Sequence, residues 1–267
     1  MKSFLRTTAI LFRAHLVRTL RTRRCLVATL LCLGPVALSA LIALIAHFEG
    51  PPPEDFSELT IGILWNILVQ IITPLVALTY GSAVLAEEIE DRTITYLFTR
   101  PLERAAILLG RWLAALVPLL GALALSAVSV LAILGHVGLR EGVSEPEGFE
   151  RDLVLTILLG GAVYSAIFAA AGALFRRPVL LGLGYTFVYE LLLGSLPGSN
   201  QKATVQYYLR SFLLGDDETL QEAFSNNLAL IELAEPAAAL RMLGYILVGA
   251  LLIGAWRLSK REYVLSA

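Results

Sequence analysis

Six long apolar runs divide the chain, roughly Cys25–Ala46, Leu59–Leu85, Trp112–Gly135, Leu153–Phe175, Val179–Leu196 and Met242–Leu258. About 20 apolar residues cross a hydrocarbon layer as a helix. Helices are the expected form, because lipid offers no partner to an unpaired N–H or C=O. The runs are also too long and too uniformly apolar for alternating barrel strands. The pattern therefore predicts an all-α membrane protein with six transmembrane helices, the last two short and the second long. Tilt absorbs such differences in length.

Polar residues between the runs refine this frame. The N-terminal arm, residues 1–24, carries Lys2, Arg6, Arg13, Arg18, Arg21, Arg23 and Arg24. Leu5, Ala9, Phe12, Leu16 and Leu20 fall on one helical stripe, with Phe4, Ile10, Leu11 and Val17 off it. This predicts an interfacial helix whose basic residues meet anionic headgroups. Sixteen of the 21 lysines and arginines lie on one side of the six-run layout: in the arm, after the second and fourth runs, and in the tail. The segment 47–58 has acids and neither lysine nor arginine. Both termini are therefore expected in the cytoplasm. The basic region and first run are too long for a cleaved signal peptide, so an uncleaved anchor is expected.

The layout reads as the arm, a transmembrane domain over 25–258 and a tail over 259–267. The external segment 197–240 is not plain loop. Tyr207 and Tyr208 suit a membrane interface, and Leu228–Leu240 is apolar but too short to span. It predicts an external interfacial or re-entrant helix. In the fourth run, Gly161, Ser165, Ala169 and Ala173 recur every four residues, which suits close packing within the bundle or between subunits.

Composition agrees: 57% hydrophobic residues, 16% charged and a mean hydropathy of +0.74, against about a quarter charged in a soluble protein. No phosphate-binding G-x-x-x-x-G-K-[ST] loop, H-E-x-x-H or G-x-S-x-G element occurs. His15, His47 and His136 are dispersed, and Cys25 and Cys32 read as small buried hydrophobes. An enzyme is not expected, nor a metal or cofactor bound by this chain, nor a nucleic-acid partner.

Two sets of polar residues lie inside the runs. Glu190 has no charge partner in its own run, and a carboxylate in hydrocarbon calls for a role. The alternatives are a substrate path or a structural pair with Arg210 or Arg241. Asn66, Gln70 and Thr73 share a face at α-helical spacing, as for interhelical hydrogen bonds or a channel wall. Pro74 follows them and is expected to kink the helix.

The densest charge lies at 86–111. Glu87, Glu88, Glu90 and Asp91 lead into Arg92 and Thr93, then Tyr96, Leu97 and Phe98, then Arg100, Pro101 and Arg104. A solvated connection has no need of Tyr-Leu-Phe. Apolar residues rimmed by charge suggest docking into a groove on a soluble partner.

The run from Glu87 to Arg104, followed by Leu109-Gly110-Arg111, resembles the cytoplasmic loop of ABC-transporter permeases of the second exporter type. There an acidic helix end leads to a Thr-rich turn, an apolar pair, a Ser/Thr-Arg-Pro-x-x-Arg element and a Gly-Lys/Arg. The tail from Arg257 to Tyr263 and the region Tyr185–Leu193 are similar to that family as well. Arg92 stands where many members have glycine, and Glu103 where serine is common.

The resemblance implies a dimer of six-span permeases working with cytoplasmic ABC ATPase subunits, which bind ATP and Mg. The segment 86–106 would be the coupling helix, with Glu87, Glu88, Glu90, Arg92, Thr93, Tyr96, Leu97, Phe98, Arg100, Pro101 and Arg104 at the contact. The implied setting is the plasma membrane, as in a bacterial inner membrane. The competing readings are a scaffold recruiting a soluble partner and a secondary transporter using Glu190.

Overall fold

The computed structural model describes residues 2–49, 63–84, 104–141, 148–175, 177–195, 199–215, 221 and 233–260. Among these residues the fold is all helical. Helix α1 is Lys2–Leu20 and α2 is Arg23–Glu49. Helix α3 is Ile63–Gly81, π-helical over Ile63–Ile72 and α-helical over Thr73–Gly81. Helix α4 is Arg104–Glu141 and α5 is Phe149–Leu174. Helix α6 covers 178–195, with a π-helical stretch Tyr185–Glu190 between Pro178–Gly184 and Leu191–Ser195. After a 3₁₀ turn, Ser199–Ala203, come α7, Val205–Leu214, and α8, Pro236–Lys260.

Five of these helices are long and apolar enough to cross a membrane: α2, α3, α4, α5 and α8. The apolar part of α6, Pro178–Gly194, is shorter. Helix α4 has 38 residues, about 57 Å at 1.5 Å per residue. It exceeds the expected run because its flanking residues stay helical at both ends.

One expectation changes here. The apolar stretch Leu228–Leu240 is not a separate helix in its described part: 233–235 is non-helical, and from Pro236 onward the residues belong to α8. Proline suits the first helical turn, where its missing N–H has no partner to serve, so the last helix opens there. The short helix described between α6 and α8 is α7 instead.

The arm also gains a neighbour that the sequence did not show, packing on the bundle through part of its expected stripe. Phe12, His15 and Leu16 are half buried, whereas Ile10 and Val17, both off the predicted stripe, are 59% and 54% exposed. The helix lies against the start of α4, where a Cβ at Gly110 would meet the Thr8 carbonyl at 2.9 Å and Leu11 Cβ at 3.1 Å. Glycine is what permits this approach.

Between apolar helices in lipid, close contact supplies much of the attraction, because lipid tails are as apolar as leucine. Helix α5 shows how. Gly161, Ser165, Ala169 and Ala173 are all buried within the chain, so their stripe packs the bundle itself. A Cβ at Gly81 of α3 would meet the Ser165 carbonyl at 2.7 Å. Trp112 Nε1 of α4 donates to Ser165 Oγ at 3.0 Å. A Cβ at Gly254 of α8 would lie 3.3 Å from Ala170 Cα. Helix α2 is tied to α4 by Ser126 Oγ, which donates to the Cys32 carbonyl at 2.8 Å.

These contacts order the bundle ends. The end of α3, the starts of α4 and α6 and the end of α8 gather near the arm. The start of α3, the end of α6, α7 and the start of α8 gather at the opposite, far end.

Candidate functional site

At the arm end, the helices flanking the charged segment are in place. Helix α3 ends near the buried Ser82 and Val84, and α4 begins at Arg104 beside the arm. The side chains of Glu87, Glu88, Glu90, Arg92, Thr93, Tyr96, Leu97, Phe98, Arg100, Pro101 and Arg104 lie outside the described residues, as does the predicted coupling turn.

Next to these flanks is a small basic cleft lined by His15, Arg18, Arg24, Tyr80 and Val84. Burial, and then the nearby charges of Arg111 and Arg18, lower the His15 pKa to about 4. His15 is therefore neutral at ordinary pH, a packed polar residue rather than a further cation.

At the far end, α7 is built onto α6 through Glu190. Its carboxylate is fully buried. Oε1 accepts from the Tyr185 hydroxyl at 2.5 Å and from the Val205 N–H at 3.1 Å, and Oε2 accepts from the Gln206 N–H at 3.2 Å. Val205 and Gln206 open α7, whose first N–H groups have no partners within the helix. The third is taken by Thr204 Oγ1, which accepts from the Tyr207 N–H at 3.2 Å. The Tyr189 hydroxyl adds a bond to the Ala203 carbonyl at 3.1 Å.

The Glu190 carboxyl group also faces the positive end of the helix dipole. Glu190 thus pairs with a helix terminus and a tyrosine, not with the expected Arg210 or Arg241. Arg241 is exposed, and its Nε donates to the Ala237 carbonyl one turn back at 3.2 Å.

The sequence reading expected helical structure within 197–240 but placed its helix at Leu228–Leu240 and not at α7. The signals for α7 are Thr204 as a helix cap and the apolar spacing of Val205, Tyr208, Leu209, Phe212 and Leu213.

The three polar residues of α3 do not share one environment. The π-helical stretch changes the angular step from residue to residue. Asn66 is exposed, Gln70 is partly buried and Thr73 is fully buried, with its hydroxyl donating to the Leu68 carbonyl at 2.8 Å. Pro74 has no N–H to return to the Gln70 carbonyl. That carbonyl accepts from Gln206 Nε2 of α7 at 3.1 Å. Helix α7 is therefore held from two sides, by α6 at its first turn and by α3 beside it.

No cluster of three or more metal-ligating side chains occurs among the described residues. Cys25 and Cys32 are unpaired with each other, and Cys32 is buried.

Comparison with curated proteins finds no match. The family model described as ABC-2 family transporter protein matches residues 19–263. With that match spanning the arm's last residues, every long apolar helix and the start of the tail, the chain belongs to the ABC-2 transporter family, as a membrane permease subunit.

Proposed function

We propose that this chain is the membrane half of an ATP-driven exporter, served by a separate cytoplasmic ABC ATPase through segment 86–106. The family match over 19–263 carries the reading. Physical support comes from the flanks of the charged segment. Helix α4 leaves that segment at Arg104 and runs 38 residues through the bundle, gripped near its start by the arm. A force applied at 86–106 therefore enters a long, packed helix rather than a loose connection. Nucleotide-driven closure of the ATPase pair would bias the bundle between two arrangements.

ATP and Mg bind in the partner on this reading. A second permease copy or homologue completes the path, six helices cross per chain, and both termini are cytoplasmic in a plasma membrane, such as a bacterial inner membrane. Asn66 and Gln70 remain candidate path residues. The geometry of Glu190 favours a structural role over proton-linked transport, since its two oxygens already accept three hydrogen bonds.

The test is purification from native membranes in mild detergent, with co-eluting proteins identified by mass spectrometry. The expected result is a stoichiometric ATPase that is lost in Leu97→Asp while the variant keeps its melting temperature. A charge at the centre of an apolar contact costs several kcal/mol, enough for a loss of about a hundredfold in affinity. Transport at wild-type rate by Leu97→Asp sinks the docking model. A preparation free of ATPase, in detergent that preserves other such complexes, favours the scaffold or secondary-transporter reading.

A further inference from the structure

Helix α7 presents Gln206 and Arg210 one turn apart on one face. Arg210 is only 5% exposed. Its guanidinium lies over the Trp65 ring, 5.5 Å from the centroid, and its Nε is buried without an acceptor. Among the described residues no carboxylate forms an ion pair with it. Glu190 does not serve, because its oxygens are engaged by Tyr185, Val205 and Gln206. Burial alone lowers the Arg210 pKa, to about 10, so the group stays charged at neutral pH. One turn back, Gln206 Oε1 is also buried without a donor.

An unpaired buried charge is unfavourable, and a cation–π contact returns only part of that cost. Methionine would fill similar space over Trp65 without that penalty. The arrangement thus keeps a cation, backed by an aromatic wall, where described protein groups leave it uncompensated. The place is the far end of the bundle, where α3 begins and where Trp65 and Tyr207 are buried and Tyr208 is half buried. On the six-crossing reading that end meets a membrane surface, where the abundant anions are phosphates, whose oxygens match the planar fork of arginine.

We propose that Arg210 anchors a binding site for a phosphate group between α7 and the start of α3, with Trp65 as its wall. The site needs no ATPase partner and stands or falls apart from the export reading.

Lipid and free anion are two sources of one chemistry, and the experiment separates them. The wild-type chain, Arg210→Met and Trp65→Phe are purified in mild detergent. Retained phospholipid is measured by native mass spectrometry. Delipidated protein is then titrated with inorganic phosphate, read by tryptophan emission and melting temperature. The expected result is retention or phosphate response in wild type, weakened about tenfold or more in Arg210→Met. The emission change should vanish in Trp65→Phe.

Phospholipid retained without a phosphate response identifies a lipid headgroup. A phosphate response without retained lipid identifies a free anion. A wild-type chain that neither retains phospholipid nor responds to phosphate overturns the proposal without recourse to any variant. So does equal behaviour of Arg210→Met, or an emission change that survives in Trp65→Phe.

Discussion

At the scale of single residues, Glu190 acts on backbone rather than on a cation. Three donors converge on its carboxylate, two of them from the open first turn of α7. Replacing it by alanine leaves two buried N–H groups without acceptors, each costing about 1–3 kcal/mol. Glu190→Ala is therefore expected to lose about 3 kcal/mol of stability and to release α7. Glu190→Gln keeps one acceptor oxygen and should lose less. Hydrogen exchange of residues 205–214, with thermal unfolding in detergent, checks this. Unchanged protection of α7 in Glu190→Ala would remove the capping role. Lost transport in Glu190→Gln with α7 still protected would return Glu190 to the substrate path. The sequence made Glu190 conspicuous as a carboxylate in an apolar run, but it could not name the partner. Patterns of side chains announce charge pairs such as Arg210, whereas a helix terminus fifteen residues away has no side-chain signature beyond its cap, Thr204. The same limit applies to Asn66, Gln70 and Thr73. Their shared face assumed an α-helical step, and the π-helical stretch Ile63–Ile72 removes that assumption.

At the scale of elements, length and hydropathy were enough to place the long apolar helices, because lipid demands unbroken hydrogen-bonded apolar segments. Amphipathic elements were less legible. The stripe in α1 located the helix and the face of Phe12 and Leu16, but not the partner that face meets, since Gly110 on α4 creates the groove that the arm enters. That docking turns His15 inward beside Arg18 and Arg111 and lowers its pKa to about 4 from the ordinary 6.5. The sign follows from proton counting. Above pH 6.5 the histidine is neutral whether the arm is docked or released. As pH falls from 6.5 toward 4, only the released form takes up the proton, so docking weakens across that window. Below about 4 both forms are protonated and the dependence levels off. Hydrogen exchange of residues 8–20 should therefore quicken between pH 6.5 and 4 relative to the interior of α5, after correction for the intrinsic pH dependence. His15→Gln should flatten this extra change. An identical profile in the variant would show that the arm's acid response lies elsewhere.

At the scale of the whole molecule, the number of crossings rests on α6. It has 18 residues over 178–195, about 27 Å at 1.5 Å per residue, close to the roughly 30 Å hydrocarbon thickness. Its contacts argue for a full crossing. At the arm end, a Cβ on Gly182 would clash with Leu78 Cδ1 and approach Phe168 at 3.2 Å. At the far end, Glu190 and Tyr189 hold the start of α7. Helix α8 then starts beside α7, where Ala234 N–H donates to Ser211 Oγ at 3.1 Å, and returns to Ala170 and Leu108 near the arm. Six crossings put both termini on one side, whereas five put them on opposite sides. The positive-inside distribution favours the first. Single cysteines at Ser3, Ser199 and Ser259, in a chain with Cys25 and Cys32 replaced by alanine, separate the two. In intact cells a membrane-impermeant thiol reagent should label Ser199→Cys and spare Ser3→Cys and Ser259→Cys until the membrane is opened. Labelling of Ser259→Cys from outside, with Ser3→Cys protected, would reduce the crossings to an odd number. The helix to give up would then be α6, whose apolar part is shorter than those of the five long helices and carries the polar π-helical stretch Tyr185–Glu190.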